Sequence, residues 1–270
     1  MTSTTSSHGS GAEDLSVDVL AGQAAYNRWV LAAYDIGVLG ISNRFVWRCP
    51  TERLRRLYDG HASARHLDIG VGTGYYLDKA RWPTPNPAVT LVDLNENALR
   101  TASTRIRRFA PRTAVHNALE PVGELPGAPF DSVGVNYLLH CMPGDLEIKT
   151  GQLLTSIRPA MSPQAVLFGS TILATAAKLS RPARTLLAFY NRKGVFHNVD
   201  DHAEALDRAL GAAFANHRVE LIGGVATFVA STPIHSNRPD RPGASPGRVA
   251  TPEVLQESGM RATTVMCFRH

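Results

Sequence analysis

One stretch of the chain concentrates residues able to hold a ligand: Leu67-Asp68-Ile69-Gly70-Val71-Gly72-Thr73-Gly74. Glycines there let the backbone bend sharply and let a ligand approach with no Cβ in the way. A helix starting just after them offers unpaired N–H groups. Asp68, directly ahead of the glycines, suits a ligand carrying an ammonium group and would repel a pyrophosphate. Asp93 lies 19 residues past Gly74, within Leu91-Val92-Asp93-Leu94-Asn95. A carboxylate at the end of a strand can accept hydrogen bonds from both hydroxyls of a ribose. A dinucleotide loop, G-x-G-x-x-G, would need its third glycine where Tyr75 stands. The plain alternatives are a glycine turn that only packs tightly and an Asp93 that only caps the next helix. Loop and acid together argue for a nucleoside ligand without a pyrophosphate.

These residues need a scaffold, and the pattern around them supplies one. Pro50 and Thr51 open a helix in which Leu54, Leu57 and Tyr58 share a face, and Gly60 closes it. A strand at His66–Ile69 precedes the glycines, and a helix from Tyr75 to Trp82 follows, stopped by Pro83. The next strand, Ala88–Asp93, is nearly all apolar, as a strand buried on both faces should be. Asn95 caps a helix with Leu99, Ala102, Ile106 and Phe109 at helical spacing. Further strands fall at Thr113–Asn117, Asp131–Asn136 and Ala165–Ser170, with a helix at Asp145–Ile157. Strands separated by helices predict a parallel α/β sheet with right-handed crossovers. After a helix around Asp201–Phe214 the rhythm changes. Arg218–Ile222 and Val225–Ser231 meet across Gly223–Gly224, an antiparallel hairpin. The sheet is therefore predicted to end with one antiparallel strand.

Composition sets the outer limits. The 270 residues are 44% apolar and 19% charged, enough for one domain with a large core. That excludes a disordered chain and a disulfide-stapled mini-protein. The three cysteines form no metal spacing and fit a reducing compartment. The net charge of +5 raises nucleic acid as a partner, but Arg107–Arg108 before Phe109 is the only basic pair directly adjoining an aromatic, so none is expected. The apolar runs near Ala165–Ala177 and Trp29–Gly40 fall short of the ~20 residues a bilayer needs, or are broken by Asp35. Residues 1–14 lack the basic start and apolar centre of a leader, so no membrane and a cytoplasmic location are expected. Residues 1–14 read as a disordered polar head, 15–232 as the folded domain and 233–270 as a Pro/Arg-rich tail, disordered by composition.

Strand, Asp68-x-Gly70-x-Gly72-x-Gly74, helix, strand, Asp93 resembles the class I S-adenosylmethionine-dependent methyltransferases, small-molecule branch. Phe130-Asp131-Ser132-Val133 is similar to that family's fourth strand, and Arg158-Pro159-Ala160-Met161-Ser162-Pro163 to the approach to its fifth. The resemblance spans about residues 20–232. It implies a Rossmann-like seven-stranded sheet with helices on both faces, an N-terminal helical cap and a lid insertion at about 174–200. It implies S-adenosyl-L-methionine as cofactor and transfer of its methyl group to O, N or C of a small molecule in specialised metabolism. Carried over by residue, Asp68, Gly70, Gly72 and Gly74 belong to the cofactor loop, Asp93 to the ribose, Leu94 to the adenine face, and Asn117 with Ala118 to the adenine edge. Asn136 falls near the methionine amino end. Tyr34 and Trp47 lie over the cofactor, and Arg48 could meet its carboxylate.

A hydroxyl acceptor needs a base. His140, in Asn136-Tyr137-Leu138-Leu139-His140, is the first candidate, and His197 the second. Tyr137, Phe189, Tyr190, Phe196 and Asn198 are the substrate-wall candidates; no metal site is expected. The rivals are an RNA or protein methyltransferase and a non-catalytic cofactor binder of the same fold. Asn136-Tyr137-Leu138-Leu139, where an exocyclic-amine enzyme would carry Asn-Pro-Pro-Tyr, weakens the first, and the intact glycines and Asp93 weaken the second.

Overall fold

The computed structural model describes residues 42–176 and 179–234. The expected polar head, Tyr34 and all of the expected tail beyond Ile234 lie outside the described residues.

Seven strands form one sheet in the order β3-β2-β1-β4-β5-β7-β6. They are β1 Arg65–Ile69, β2 Ala88–Asp93, β3 Arg112–Val115, β4 Phe130–Asn136, β5 Met161–Ile172, β6 Phe214–Ile222 and β7 Val225–Pro233. β1 to β5 pair in parallel, and β7 runs antiparallel to both β5 and β6. Among the described residues six α-helices flank the sheet: α1 Thr51–His61, α2 Tyr75–Lys79, α3 Glu96–Arg105, α4 Leu146–Ile157, α5 Arg181–Arg192 and α6 Ala203–Ala213. Strand alternation sorts the core into two layers. Leu67, Ile69, Val133 and Val135 pack with Leu153 of α4 and Leu206 of α6. Leu91, Phe168 and Ile172 pack on the other face with Leu54 and Tyr58 of α1, Leu99 of α3 and Leu187 of α5.

Two glycines of the central strands keep the sheet closed. A Cβ on Gly134 would stand 2.6 Å from the Asp68 carboxylate, and one on Gly169 would stand 1.8 Å from the Val135 carbonyl oxygen. Caps fix the helices that rise from the strand ends. The Asn95 side chain accepts from the Asn97 amide, and Asp145 accepts from those of Glu147 and Ile148.

Several boundaries move from those predicted. α2 ends at Lys79 because Ala80 is extended and the Trp82 indole donates back to the Leu77 carbonyl at 3.1 Å. β5 is twice its expected length. It starts at Met161 opposite Phe130, and an irregularity between Phe130 and Ser132 accommodates Pro163. β6 starts at Phe214, which pairs with Pro233, so the expected boundary after residue 232 falls inside β7. The Ile234 amide then donates to the Ala213 carbonyl at 2.9 Å.

Candidate active site

A cleft opens at the carboxyl ends of β1 to β4, where an open α/β sheet places its ligand. Gly70 and Gly72 after β1, Asp93 and Leu94 after β2, Asn117 and Ala118 beyond β3, and Tyr137 after β4 all line it. Leu138, Met142 and Pro143 close its far side.

The three glycines of the loop are left-handed, with φ of +72°, +52° and +70°, and their surroundings differ. A Cβ on Gly70 would lie 2.9 Å from the Leu138 side chain. One on Gly74, the residue just ahead of α2, would lie 2.9 Å from the Ala102 Cα of α3. One on Gly72 would meet nothing within 4 Å and would project into open space. Asp93 sits across from it. Burial raises its carboxyl above the usual value, while the backbone amides of Asn95, Val71 and Gly72 favour the charged form. The Asn95 amide donates to Asp93 Oδ1 at 2.8 Å. Leu94 beside it is 43% exposed, an uncovered apolar surface at the cleft. Asn117 Oδ1 accepts from the Leu119 amide at 3.1 Å, and its Nδ2 donates to Glu120 Oε1. A donor aimed at that carbonyl oxygen has the second lone pair to use. Open backbone at Gly72, a carboxylate opposite and an apolar face at Leu94 fit an uncharged-ribose nucleoside.

Other sequence-derived candidates stand behind the cleft. Asp68 is buried, accepting from Tyr58 OH at 3.0 Å and lying 3.3 Å from His66 Nε2. Asn136 Oδ1 accepts from the Ser170 hydroxyl in a very short bond. Trp47 is buried, its ring 6.4 Å from that of Phe196 and its carbonyl accepting from Gly224 N at 2.7 Å. Arg48 is exposed with φ +55°.

An aromatic run leads away from Tyr137. Its ring is 5.8 Å from His140, His140 is 4.5 Å from Phe196, and Phe196 is 4.8 Å from Tyr190. Phe189 continues the run outward at 5.7 Å and is 41% exposed. His140 lacks the free nitrogen a base needs. Its ring is buried, and Nδ1 accepts from the Ile172 amide at 3.4 Å, which leaves the proton on Nε2. Burial, reinforced by the charge of Lys149, pushes its pKa down to about 3. His197 is half-buried, and its amide donates to the His140 carbonyl at 2.7 Å. Asn198 is fully committed to the fold: its Nδ2 donates to the Ile172 carbonyl, and its Oδ1 and backbone N–H bond to the Asn191 amide.

Two arrangements escaped the sequence reading. Lys149 is wholly buried on α4, and its Nζ donates to Asp201 Oδ2 at 2.9 Å, the His197 carbonyl at 2.8 Å and the Met142 carbonyl at 3.2 Å. Burial pushes Asp201 up to about 6 and Lys149 down, while their mutual attraction favours the charged pair. The only signal was a lysine at an inward helical position. Asn43, also wholly buried, joins Tyr76 and Tyr137. A partner 94 residues away leaves no local pattern.

The family profile described as a methyltransferase domain matches residues 67–167. The chain is 37% identical to the demethylluteothin O-methyltransferase of Streptomyces thioluteus, over 79% of this chain and 92% of that protein. It is 36% identical to the physcion biosynthesis cluster O-methyltransferase of Aspergillus chevalieri, over 78% of this chain and 95% of that protein. The chain belongs to the class I S-adenosylmethionine-dependent methyltransferases. The fold is shared with the solved structure of PigF with SAH, at 20% identity and a TM-score of 0.52, covering 74% of this chain and 58% of that one. This methyltransferase uses S-adenosylmethionine, and the cleft geometry at Gly72, Asp93 and Leu94 suits it. Among the described residues no helix is long and apolar enough to cross a membrane, and no cluster of His, Cys, Asp or Glu could hold a metal.

Proposed function

We propose that this methyltransferase methylates a hydroxyl oxygen of a small aromatic molecule in specialised metabolism. The observation that carries this reading is Tyr137 in the cleft lining, from which a line of ring contacts runs through His140 to Phe196 and Tyr190. A flat acceptor would stack against the half-buried Tyr137 ring, with its reacting oxygen in the cleft. The names of the two O-methyltransferase relatives point the same way.

Bound S-adenosylmethionine supplies an activated methyl group on a sulfonium. The protein's part is to hold donor and acceptor in line, exclude water and take the acceptor's proton. In this reading Gly70 and Gly72 border the methionine and ribose, Asp93 accepts from the ribose hydroxyls, Leu94 packs on the adenine, and Asn117 and Ala118 meet its edge. Asp68, Gly74, Asn136 and Trp47 support these groups from behind. His197 receives the proton, because it is half-buried at the aromatic run whereas His140 has its accepting nitrogen occupied. Phe189 and Asn198 shape the outer wall through Tyr190 and Asn191.

Incubation with methyl-labelled S-adenosylmethionine and a panel of aromatic hydroxyl compounds, read by mass spectrometry, tests the reading. A labelled methyl ether is the expected product. Labelled N- or C-methyl products from a matched amine and enol panel, with no ether, would overturn the oxygen assignment. His197→Ala should lower kcat about a hundredfold while sparing cofactor affinity. Unchanged turnover would remove His197 as the base.

A further inference from the structure

A buried residue outside the cleft bonds to three segments around it. Asn43 lies in the helical turn at residues 42–46, ahead of α1, and is wholly buried. Its side-chain amide bonds to three different segments. Nδ2 donates to Thr51 Oγ1 at 3.2 Å and to Tyr76 OH at 3.3 Å, and Oδ1 accepts from Tyr137 OH at 3.0 Å. Tyr76 is on α2, the helix that follows Gly74. Tyr137 lines the cleft.

Tyr137 also carries backbone strain. Its φ is +56°, a left-handed conformation that a bulky residue adopts only when its surroundings compel it. Two bonds supply the compulsion: its amide donates to the Ser170 carbonyl at 2.8 Å, and its hydroxyl donates to Asn43. The next residue, Leu138, presses on Gly70 closely enough that a Cβ there would be 2.9 Å from it. The rotation of Tyr137 therefore sets how far Leu138 stands over the glycine loop. On the other side Tyr76 stacks on Tyr58 with rings 5.5 Å apart, and Tyr58 OH donates to Asp68. The same chain of contacts thus runs from β4, through Asn43, to the strand beneath the loop.

We propose that Asn43 is a positioning residue for S-adenosylmethionine. By latching Tyr137 in its left-handed conformation it keeps Leu138 at the width the cofactor needs. By linkage, cofactor binding tightens the turn that carries Asn43. This rests on the cleft being the cofactor site.

Calorimetry with S-adenosylmethionine, with Asp93→Ala as the reference for that reading, and amide hydrogen exchange test it. Tyr137→Phe removes one hydroxyl and keeps the ring; it should weaken binding about three- to tenfold. Asn43→Ala should weaken it at least as much, and the double variant no more than Asn43→Ala alone. The amides of Trp47 and Cys49, bonded to the Ser42 and Asn43 carbonyls, should exchange more slowly when wild-type protein binds the cofactor and should lose that response in Tyr137→Phe. A purely structural role would lower the melting temperature and leave both readouts alone. Wild-type affinity in Tyr137→Phe, or exchange at Trp47 and Cys49 indifferent to cofactor, would overturn the latch. Unchanged affinity in Asp93→Ala would instead overturn the placement of the site.

Discussion

Gly72 and Gly74 are two residues apart, both left-handed, and should fail differently when substituted. Gly72 faces open cleft, so Gly72→Val should fold and lose S-adenosylmethionine binding; left-handed backbone strain of about 1–2 kcal/mol adds to the obstruction. Gly74 faces the α3 backbone, so Gly74→Ala should lower the melting temperature first. Calorimetry and thermal melts on the pair separate the two roles. Asp93 adds a pH dependence. Its carboxyl titrates above the usual value because it is buried, and in the proposed pose the charged form is the stronger acceptor for the ribose hydroxyls. Cofactor affinity should therefore weaken on acidification, and Asp93→Asn should bind weakly and lose that dependence. His140 gives a stability signature instead. Its folded pKa of about 3 lies below the unfolded 6.5, so between them the unfolded chain holds the extra proton. Stability should fall as pH falls through that window, by up to about 1.4 kcal/mol per pH unit. Denaturant unfolding of His140→Phe should show that slope flattened.

Among elements, α4 and the segment before α6 are joined by one ion pair. Lys149→Met would leave the Asp201 carboxylate buried without its partner and should cost about 3–5 kcal/mol. Lys149→Met with Asp201→Leu should regain much of that stability, since neither charge then needs compensation. Denaturant midpoints read both. The elements themselves were legible because local chemistry writes them. Asn95 and Asp145 cap where capping residues should, the apolar run at Ala88–Asp93 is a central strand, and Gly223–Gly224 turns a hairpin. The ends were less legible, because the Trp82 indole stopping α2 and the β5 irregularity around Pro163 depend on tertiary contacts. Site residues divide the same way. Gly72 and Asp93 sit in a motif tied to one strand-loop-helix unit. The inward-turned His140 and the Asn43 and Lys149 networks depend on segments that meet only in the fold.

At the scale of the whole molecule, cofactor binding is stabilisation by mass action. A hundredfold excess over Kd is worth about 2.7 kcal/mol. For a domain of this length that is a rise of about 5–11 °C in melting temperature, and Gly72→Val should show none of it. Differential scanning fluorimetry with and without S-adenosylmethionine measures this without an acceptor.

β7 is the last described strand in the sequence, yet it sits between β5 and β6, and in the turn leading into it the Gly224 amide donates to the Trp47 carbonyl. A chain emerging from the ribosome would thus leave β5 with a bare edge and β6 with nothing to pair until residues 225–233 appear. Catalytic competence then waits on residues 225–233, and a message truncated before that strand would yield a sticky fragment instead of a slower enzyme.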